Sequence, residues 1–154
     1  MKEYSFETIH YKLDLHPVTT RDKKYITLIV ETIQKIPDTD AKDTAMSCHY
    51  RFISAYGTAE EYYIHKNPPC NKDGFIILDL IFFNFSEMEK DGLTDDRIKD
   101  TIAHEIAHVY LGHHRANNDK KTSEKEIEAD DKIVEWGFNR GYTDEQIKQL
   151  EKQE

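Results

Sequence analysis

The feature that most constrains this chain is an apolar helix that has to carry two histidines. His104 and His108 belong to the stretch His-Glu-Ile-Ala-His, an H-E-x-x-H signature. Residues four apart on a helix lie one turn above each other, so the two imidazoles can face one metal ion. Catalytic zinc usually takes three protein ligands and leaves a fourth position for water. The fold must therefore bring a third donor to this helix from elsewhere in the chain.

An acidic stretch further along the chain offers that donor. At about 100° per residue, Glu126 and Asp130 fall near the centre of an inward arc. We expect the arc to be completed by Ile127, Ile133, Val134, Trp136 and Phe138, with Glu124, Glu128, Asp131, Lys132 and Glu135 facing solvent. A carboxylate on a buried face is costly unless it is paired or bound to metal. We therefore predict Glu126 as the third ligand and Asp130 as the acceptor of a ligating histidine's free N–H.

The two motifs together resemble those of the gluzincin metallopeptidases. Residues 126–130 have the pattern E-x-x-A-D, which is closest to that of the HtpX-like and minigluzincin peptidases and similar to that of the ImmA/IrrE-type peptidases. The resemblance covers roughly a third of the chain, residues 95–138. It implies a zincin-like fold and zinc as the cofactor.

The resemblance also implies a role for each matched residue. It makes His104, His108 and Glu126 the zinc ligands, and it makes Asp130 the support of a histidine. Glu105, beside the metal but not bound to it, would be the general base. The function expected is that of a soluble zinc-dependent endopeptidase with a protein or peptide substrate.

Two alternatives compete for the third ligand position. Ser123 and Glu126 match a capping box, in which the Glu126 side chain would bond the Ser123 amide instead of a metal. His114 stands where metzincins place their third histidine. However, Leu111 occupies the position of a glycine in that pattern, and no methionine follows Met88. We expect His114 and the adjacent His113 to be exposed at the end of the helix.

The sequence does not select a donor for the oxyanion of the reaction. Tyr110, His113, Arg115 and Tyr142 all lie near the motifs and carry suitable groups, but no spacing distinguishes them. Function also stays open in two respects. The alternatives are a zinc-binding regulatory or interaction module without turnover and an ImmA/IrrE-like protease that cuts one regulator protein.

Composition limits the partners. The net charge of -9 argues against nucleic acid, because affinity for phosphates comes largely from lysine and arginine. The most apolar run, residues 75–85, is short and contains Asp79, so we expect no membrane partner. In this respect the chain departs from the membrane-embedded HtpX-like peptidases. Cys48 and Cys70 are predicted to be free thiols in a reducing compartment, which favours the cytoplasm.

The length of 154 residues suits one domain over residues 1–154. Periodicity and turn signals predict an α+β fold with a small, mostly antiparallel sheet packed on the active-site helix. We expect a strand at residues 8–15, a helix at 20–36, a loop at 37–42, a hairpin within 46–64 and a strand at 75–85. The active-site helix should begin after Thr94 and end near Gly112. A second metal-ligand helix at 123–139 and a short helix after Thr143 should follow it.

Overall fold

Helices account for most of the chain in this computed structural model, which describes residues 3–53, 74–77 and 80–154. Within these ranges the helices are α1 (Phe6–Leu13), α2 (Thr20–Lys35), α3 (Thr39–Ser47), α4 (Phe85–Lys90), α5 (Asp95–Tyr110), α6 (Thr122–Glu135) and α7 (Asp144–Lys152). The strands are β1 (His49–Ile53), β2 (Gly74–Ile77) and β3 (Leu80–Asn84). This mixture of helices and a small sheet agrees with the predicted α+β class.

The described strands form a mixed sheet in the order β1-β3-β2. β1 runs parallel to β3, with His49 opposite Leu80, whereas β2 runs antiparallel to β3. A parallel pair needs a long connection rather than a tight turn, and the chain between Ile53 and Leu80 supplies one. The prediction of a mostly antiparallel sheet is therefore not supported. The second strand of the hairpin predicted within residues 46–64 lies outside the described residues.

The first predicted strand, residues 8–15, is wrong, because this stretch forms α1. Ser5 caps the helix by accepting a hydrogen bond from the Thr8 amide, which satisfies a donor that the first turn leaves open. Ile9 is fully buried, but Tyr11 is 82% exposed, so the alternation of apolar residues does not correspond to one buried face. The Ser5 cap and the burial of Ile9 therefore favour a helix here, in spite of the alternating pattern that is typical of a strand.

Two further boundaries differ from the prediction. The loop expected at residues 37–42 is replaced by the start of α3. Asp38 caps this helix, because its side chain accepts hydrogen bonds from the amides of Asp40 and Ala41. The single strand expected at residues 75–85 is divided between β2, β3 and the first residue of α4. Asn84 caps α4 through the Glu87 amide.

The predicted helices α2 and α5 are confirmed, and α5 is central to the fold. Thr19 caps α2 in a reciprocal capping box with Asp22, and Thr94 caps α5 through the Arg97 amide. α5 packs against α2, α3, α6 and the strands β2 and β3. Neighbours on several sides bury most of α5, including Ile98, Ile102 and Ala103. The site residues on α5 are consequently held by the core.

The helices that follow α5 in the chain also begin close to their predicted positions. α6 spans Thr122–Glu135 and ends before Gly137, which has a φ of 93°. Thr143 caps α7 through the Gln146 amide, as expected. No helix in the described part of the chain combines the length and the apolar composition that crossing a bilayer requires.

Candidate metal centre

α5 places His104 and His108 side by side inside the protein. The residues are 7% and 8% exposed, and their ring centroids lie 4.6 Å apart. The two Nε2 atoms are 3.0 Å apart. Because the residues lie one turn apart on the same face of α5, the helix itself brings both nitrogens to one point.

α6 brings Glu126 to the same point. Its Oε2 lies 2.6 Å from the His104 Nε2 and 3.3 Å from the His108 Nε2. The three donor atoms lie within 4.8 Å of one another, and no other such group of three occurs in the described ranges 3–53, 74–77 and 80–154. Two imidazoles and one carboxylate are a donor set that zinc takes in hydrolytic enzymes. The chemistry of the site therefore fits a divalent cation.

Asp130 lies behind His104, at the position predicted for it. Its Oδ1 is 2.8 Å from the His104 Nδ1 and also accepts the Gly141 amide, while its Oδ2 accepts the Tyr142 amide. An ionised carboxylate only accepts hydrogen bonds, so the His104 Nδ1 must carry a proton. With that proton on Nδ1, the lone pair of a neutral His104 ring lies on Nε2, the atom that faces Glu126 and His108.

The charges of this cluster are strongly coupled. Burial by itself lowers the pKa of His104, but hydrogen bonds to Asp130 and Glu126 outweigh it and raise the pKa well above its usual value. Burial likewise opposes ionisation of Glu126, yet hydrogen bonds to His104 and His108 hold its pKa far below the usual range. The pKa shifts of His104 and Glu126 thus both favour positive charge beside the Glu126 carboxylate, at the place where a cation would bind.

The capping-box alternative for Glu126 does not occur. The residue that precedes α6 is Lys121, which makes no side-chain cap. The amide and hydroxyl of Ser123 instead donate to the two carboxylate oxygens of Glu154, at 2.7 and 2.9 Å. The Glu126 side chain is therefore available to the histidines.

His114 does not join the donor group. It borders a separate surface cavity of about 440 Å³, whose walls include Cys48 and Tyr110. The metzincin-like arrangement of the third histidine is consequently absent from the described site.

His113 is the residue that sequence reasoning placed wrongly. We expected it to be exposed, but it is 5% exposed and its Nδ1 lies 2.9 Å from the His108 Nδ1. Its Nε2 lies 3.0 Å from Glu128 Oε2. Burial lowers the pKa of His113 in spite of the bond to Glu128. The His113 ring therefore extends the site beyond the predicted residues.

The end of α5 explains the position of His113. Gly112 has a φ of 72°, the Gly112 amide donates to the Val109 carbonyl, and the His113 amide donates to the His108 carbonyl. These two bonds form a Schellman motif, which turns the chain back on the last turn of the helix. The Leu-Gly-His stretch after α5 was the signal for it, because glycine at this position favours the motif.

The predicted inward and solvent-facing sides of α6 also need correction. Ile127 and Val134 are 37% and 49% exposed, whereas Ala129, Asp130 and Ile133 are buried. Ile127 and Val134 lie roughly a quarter turn from Glu126 at about 100° per residue, so the inward arc is narrower than predicted. Glu128, expected in solvent, is half-buried and binds both His113 and Lys120.

Glu105 and Tyr142 complete the surroundings of the donor group. Glu105 is buried beside His104, and its negative charge raises the pKa of both His104 and Tyr142. The Tyr142 ring lies 5.8 Å from the His104 ring. Burial first, and then the charges of Glu126, Glu105 and Asp130, raise the pKa of Tyr142 far above its usual value. Tyr142 therefore keeps its proton at neutral pH.

The other possible oxyanion donors are directed elsewhere. The Tyr110 hydroxyl donates to Asp38 at 3.3 Å, and Arg115 is exposed beside Gly112. His113 faces the outer nitrogen of His108. Of the four residues, Tyr142 is the one whose ring lies beside His104 and whose pKa is raised by the charge of Glu126.

Comparison of the chain with protein-family models, with curated proteins and with solved structures gave no match.

Proposed function

We propose that this protein is a soluble, zinc-dependent endopeptidase of the gluzincin type, with a zincin-like arrangement of α5 and α6. The observation that carries the proposal is the convergence of the His104 and His108 Nε2 atoms and Glu126 Oε2 on one point inside the protein. The buried carboxylate of Glu105 beside that point adds a group for proton transfer. Zinc is proposed because two histidines and one glutamate are its usual ligands in such sites.

The chemistry supplied by bound zinc would be to lower the pKa of a water molecule and to polarise the scissile carbonyl. Glu105 would take a proton from the attacking water and deliver it to the leaving amine. Asp130 would keep the His104 ring in the tautomer and orientation that ligation requires. Tyr142 would donate its hydroxyl hydrogen to the oxygen that becomes negative as the carbonyl is attacked.

The substrate proposed is a protein or peptide rather than a nucleic acid. The net charge of -9 gives the surface little affinity for phosphates, and none of the proposed roles requires a nucleotide. The cytoplasm is proposed as the compartment, because a chain with only two cysteines lacks the disulfide framework that is typical of small secreted domains.

The decisive variant is Glu105→Gln. Glutamine keeps the size of the side chain but cannot accept the proton, so we expect hydrolysis of casein or a peptide library to fall to background. Zinc measured by elemental analysis should remain at one per chain. In His104→Ala and Glu126→Ala, by contrast, zinc itself should be lost. Full activity of the Glu105→Gln variant would remove Glu105 from the mechanism.

The same experiment distinguishes the other functions that the sequence left open. Stoichiometric zinc without cleavage of any substrate would indicate a regulatory or interaction module. Cleavage of one native protein but not of casein would indicate an ImmA/IrrE-like protease with a single regulator as substrate. Absence of bound zinc in the purified and zinc-supplemented protein would contradict all three.

A further inference from the structure

His113 and Glu128 lie outside the three proposed ligands, yet they form a continuous chain of hydrogen bonds to one of them. We infer that this chain, the Glu128 relay, positions His108 by fixing its proton on Nδ1, so that its Nε2 lone pair faces the cation. The inference rests on the proposed metal site and deepens it. It assigns His113 and Glu128 as positioning residues, because neither of them touches the donor point itself.

The relay begins at Glu128. Its Oε1 accepts a hydrogen bond from the Lys120 ammonium at 2.6 Å, and its Oε2 lies 3.0 Å from the His113 Nε2. A carboxylate bound to an ammonium group is ionised, and an ionised carboxylate can only accept. The pair of contacts therefore places a proton on the His113 Nε2.

The second step passes from His113 to His108. A neutral imidazole carries one N–H, so a His113 ring protonated on Nε2 can only accept at Nδ1. The His113 Nδ1 faces the His108 Nδ1 at 2.9 Å. The His108 Nδ1 must then be the donor, and the lone pair of a neutral His108 lies on Nε2. This nitrogen is the one that faces His104 and Glu126.

The two halves of the site thus use different groups for the same result. Asp130 binds the outer nitrogen of His104 directly, whereas Glu128 acts on the outer nitrogen of His108 through a second imidazole. The carboxylates of Glu128 and Asp130 both come from α6, which also carries Glu126. One helix therefore supplies the proposed ligand Glu126 and, further along, both carboxylates that orient the two histidines.

Backbone geometry at the end of α5 supports the assignment. The Schellman motif at Gly112 holds the His113 amide on the His108 carbonyl at 3.0 Å, so backbone and ring contacts join the same two residues. The His113 ring is buried, while Glu128 and Lys120 lie at the surface end of the relay. A surface ion pair is in this way connected to the buried donor point.

The test measures zinc affinity by competition with a chromophoric chelator. Loss of an outer partner of a ligating histidine typically costs about 10–100-fold in metal affinity, and we expect a loss in this range for His113→Leu. Glu128→Gln should also weaken binding, because an amide can donate to the His113 Nε2 and reverse the relay. Asparagine can still accept from the His108 Nδ1, so His113→Asn should recover most of the lost affinity.

The matched control is Glu124→Gln, because Glu124 is an exposed residue on the same helix as Glu128. This variant should bind zinc like the parent protein.

A second measurement reads the protons directly. In the zinc-loaded protein labelled with nitrogen-15 in its histidines, NMR should show His108 protonated on Nδ1 and His113 on Nε2. His113 protonated on Nδ1, or zinc affinities of His113→Leu and Glu128→Gln equal to that of Glu124→Gln, would overturn the relay and leave the zinc site itself in place. Failure of the parent protein to bind zinc would overturn both.

Discussion

At the scale of single residues, the proposed site depends on which nitrogen atoms of the buried histidines carry protons. Asp130 and the pair His113–Glu128 each oblige an outer histidine nitrogen to donate. In neutral rings the lone pairs then lie on the two Nε2 atoms, where the proposed cation would bind. Tyr142 differs from these residues, because its raised pKa keeps the proton on its hydroxyl at neutral pH.

Tyr142→Phe tests the role of this hydroxyl. We expect kcat to fall by about 10²–10³, the usual effect of removing one oxyanion donor, while KM and bound zinc change little. Tyr110→Phe is the matched control, because the Tyr110 hydroxyl binds Asp38 outside the site. The measurement is a full kinetic profile of both variants on one peptide. A loss confined to KM would instead indicate a contact with the bound substrate.

Sequence reasoning identified His104, His108, Glu126 and Asp130 because helical periodicity relates residues on one face without knowledge of the rest of the fold. It missed His113, whose position depends on a backbone reversal rather than on a helical face. It also placed Glu128 in solvent. The position of Glu128 around the axis of α6 gives no information that His113, at the end of α5, lies beside it. Periodicity predicts on which face of a helix a side chain lies, but it does not predict which part of the protein packs against that face.

At the scale of elements, the end of α5 decides whether His113 reaches His108. Gly112→Ala should cost about 1–2 kcal/mol of stability, because a side chain disfavours the left-handed conformation. A Cβ there would meet the Arg115 side chain only at ordinary contact distance, so the strain lies in the backbone. We expect zinc affinity to fall together with stability, since His113 follows directly.

The control for this change is Gly92→Ala. Gly92 has a φ of 77° and lies at the end of α4, where an added Cβ would meet no described residue within 4 Å. Denaturant unfolding should show a similar loss of stability in both variants, while chelator competition should show weaker zinc binding in Gly112→Ala alone. Equal zinc affinities would mean that the reversal at Gly112 does not govern the site.

A helix was predictable from the sequence when it had a capping side chain and a long stripe of apolar residues. α2 and α5 have a capping threonine and a long apolar stripe, and both were predicted. α1 has only eight residues, of which only Ile9 is buried, and its short apolar alternation imitated a strand. The parallel pairing of β1 with β3 joins residues about 30 positions apart in the sequence, and local patterns do not encode such pairings.

At the scale of the whole molecule, a bound cation would join α5 to α6 and so stabilise the fold. Zinc at 100 times its dissociation constant should add about 2.7 kcal/mol. For a chain of this length that corresponds to a rise in Tm of about 5–11 °C. Differential scanning calorimetry with and without zinc measures the effect, and excess chelator should reverse it. Glu126→Ala should show no rise, and an equal rise in that variant would place the cation elsewhere.

Asp130 accepts the Gly141 and Tyr142 amides with the same carboxylate that bonds His104. These bonds fix the position of the turn between Phe138 and Thr143 relative to His104. The Tyr142 phenol belongs to that turn, whereas none of the three proposed ligands does. Inserting or deleting a residue there would shift the phenol and spare the ligands. The position of the phenol can therefore change independently of the three proposed ligands, through the length of a single surface turn.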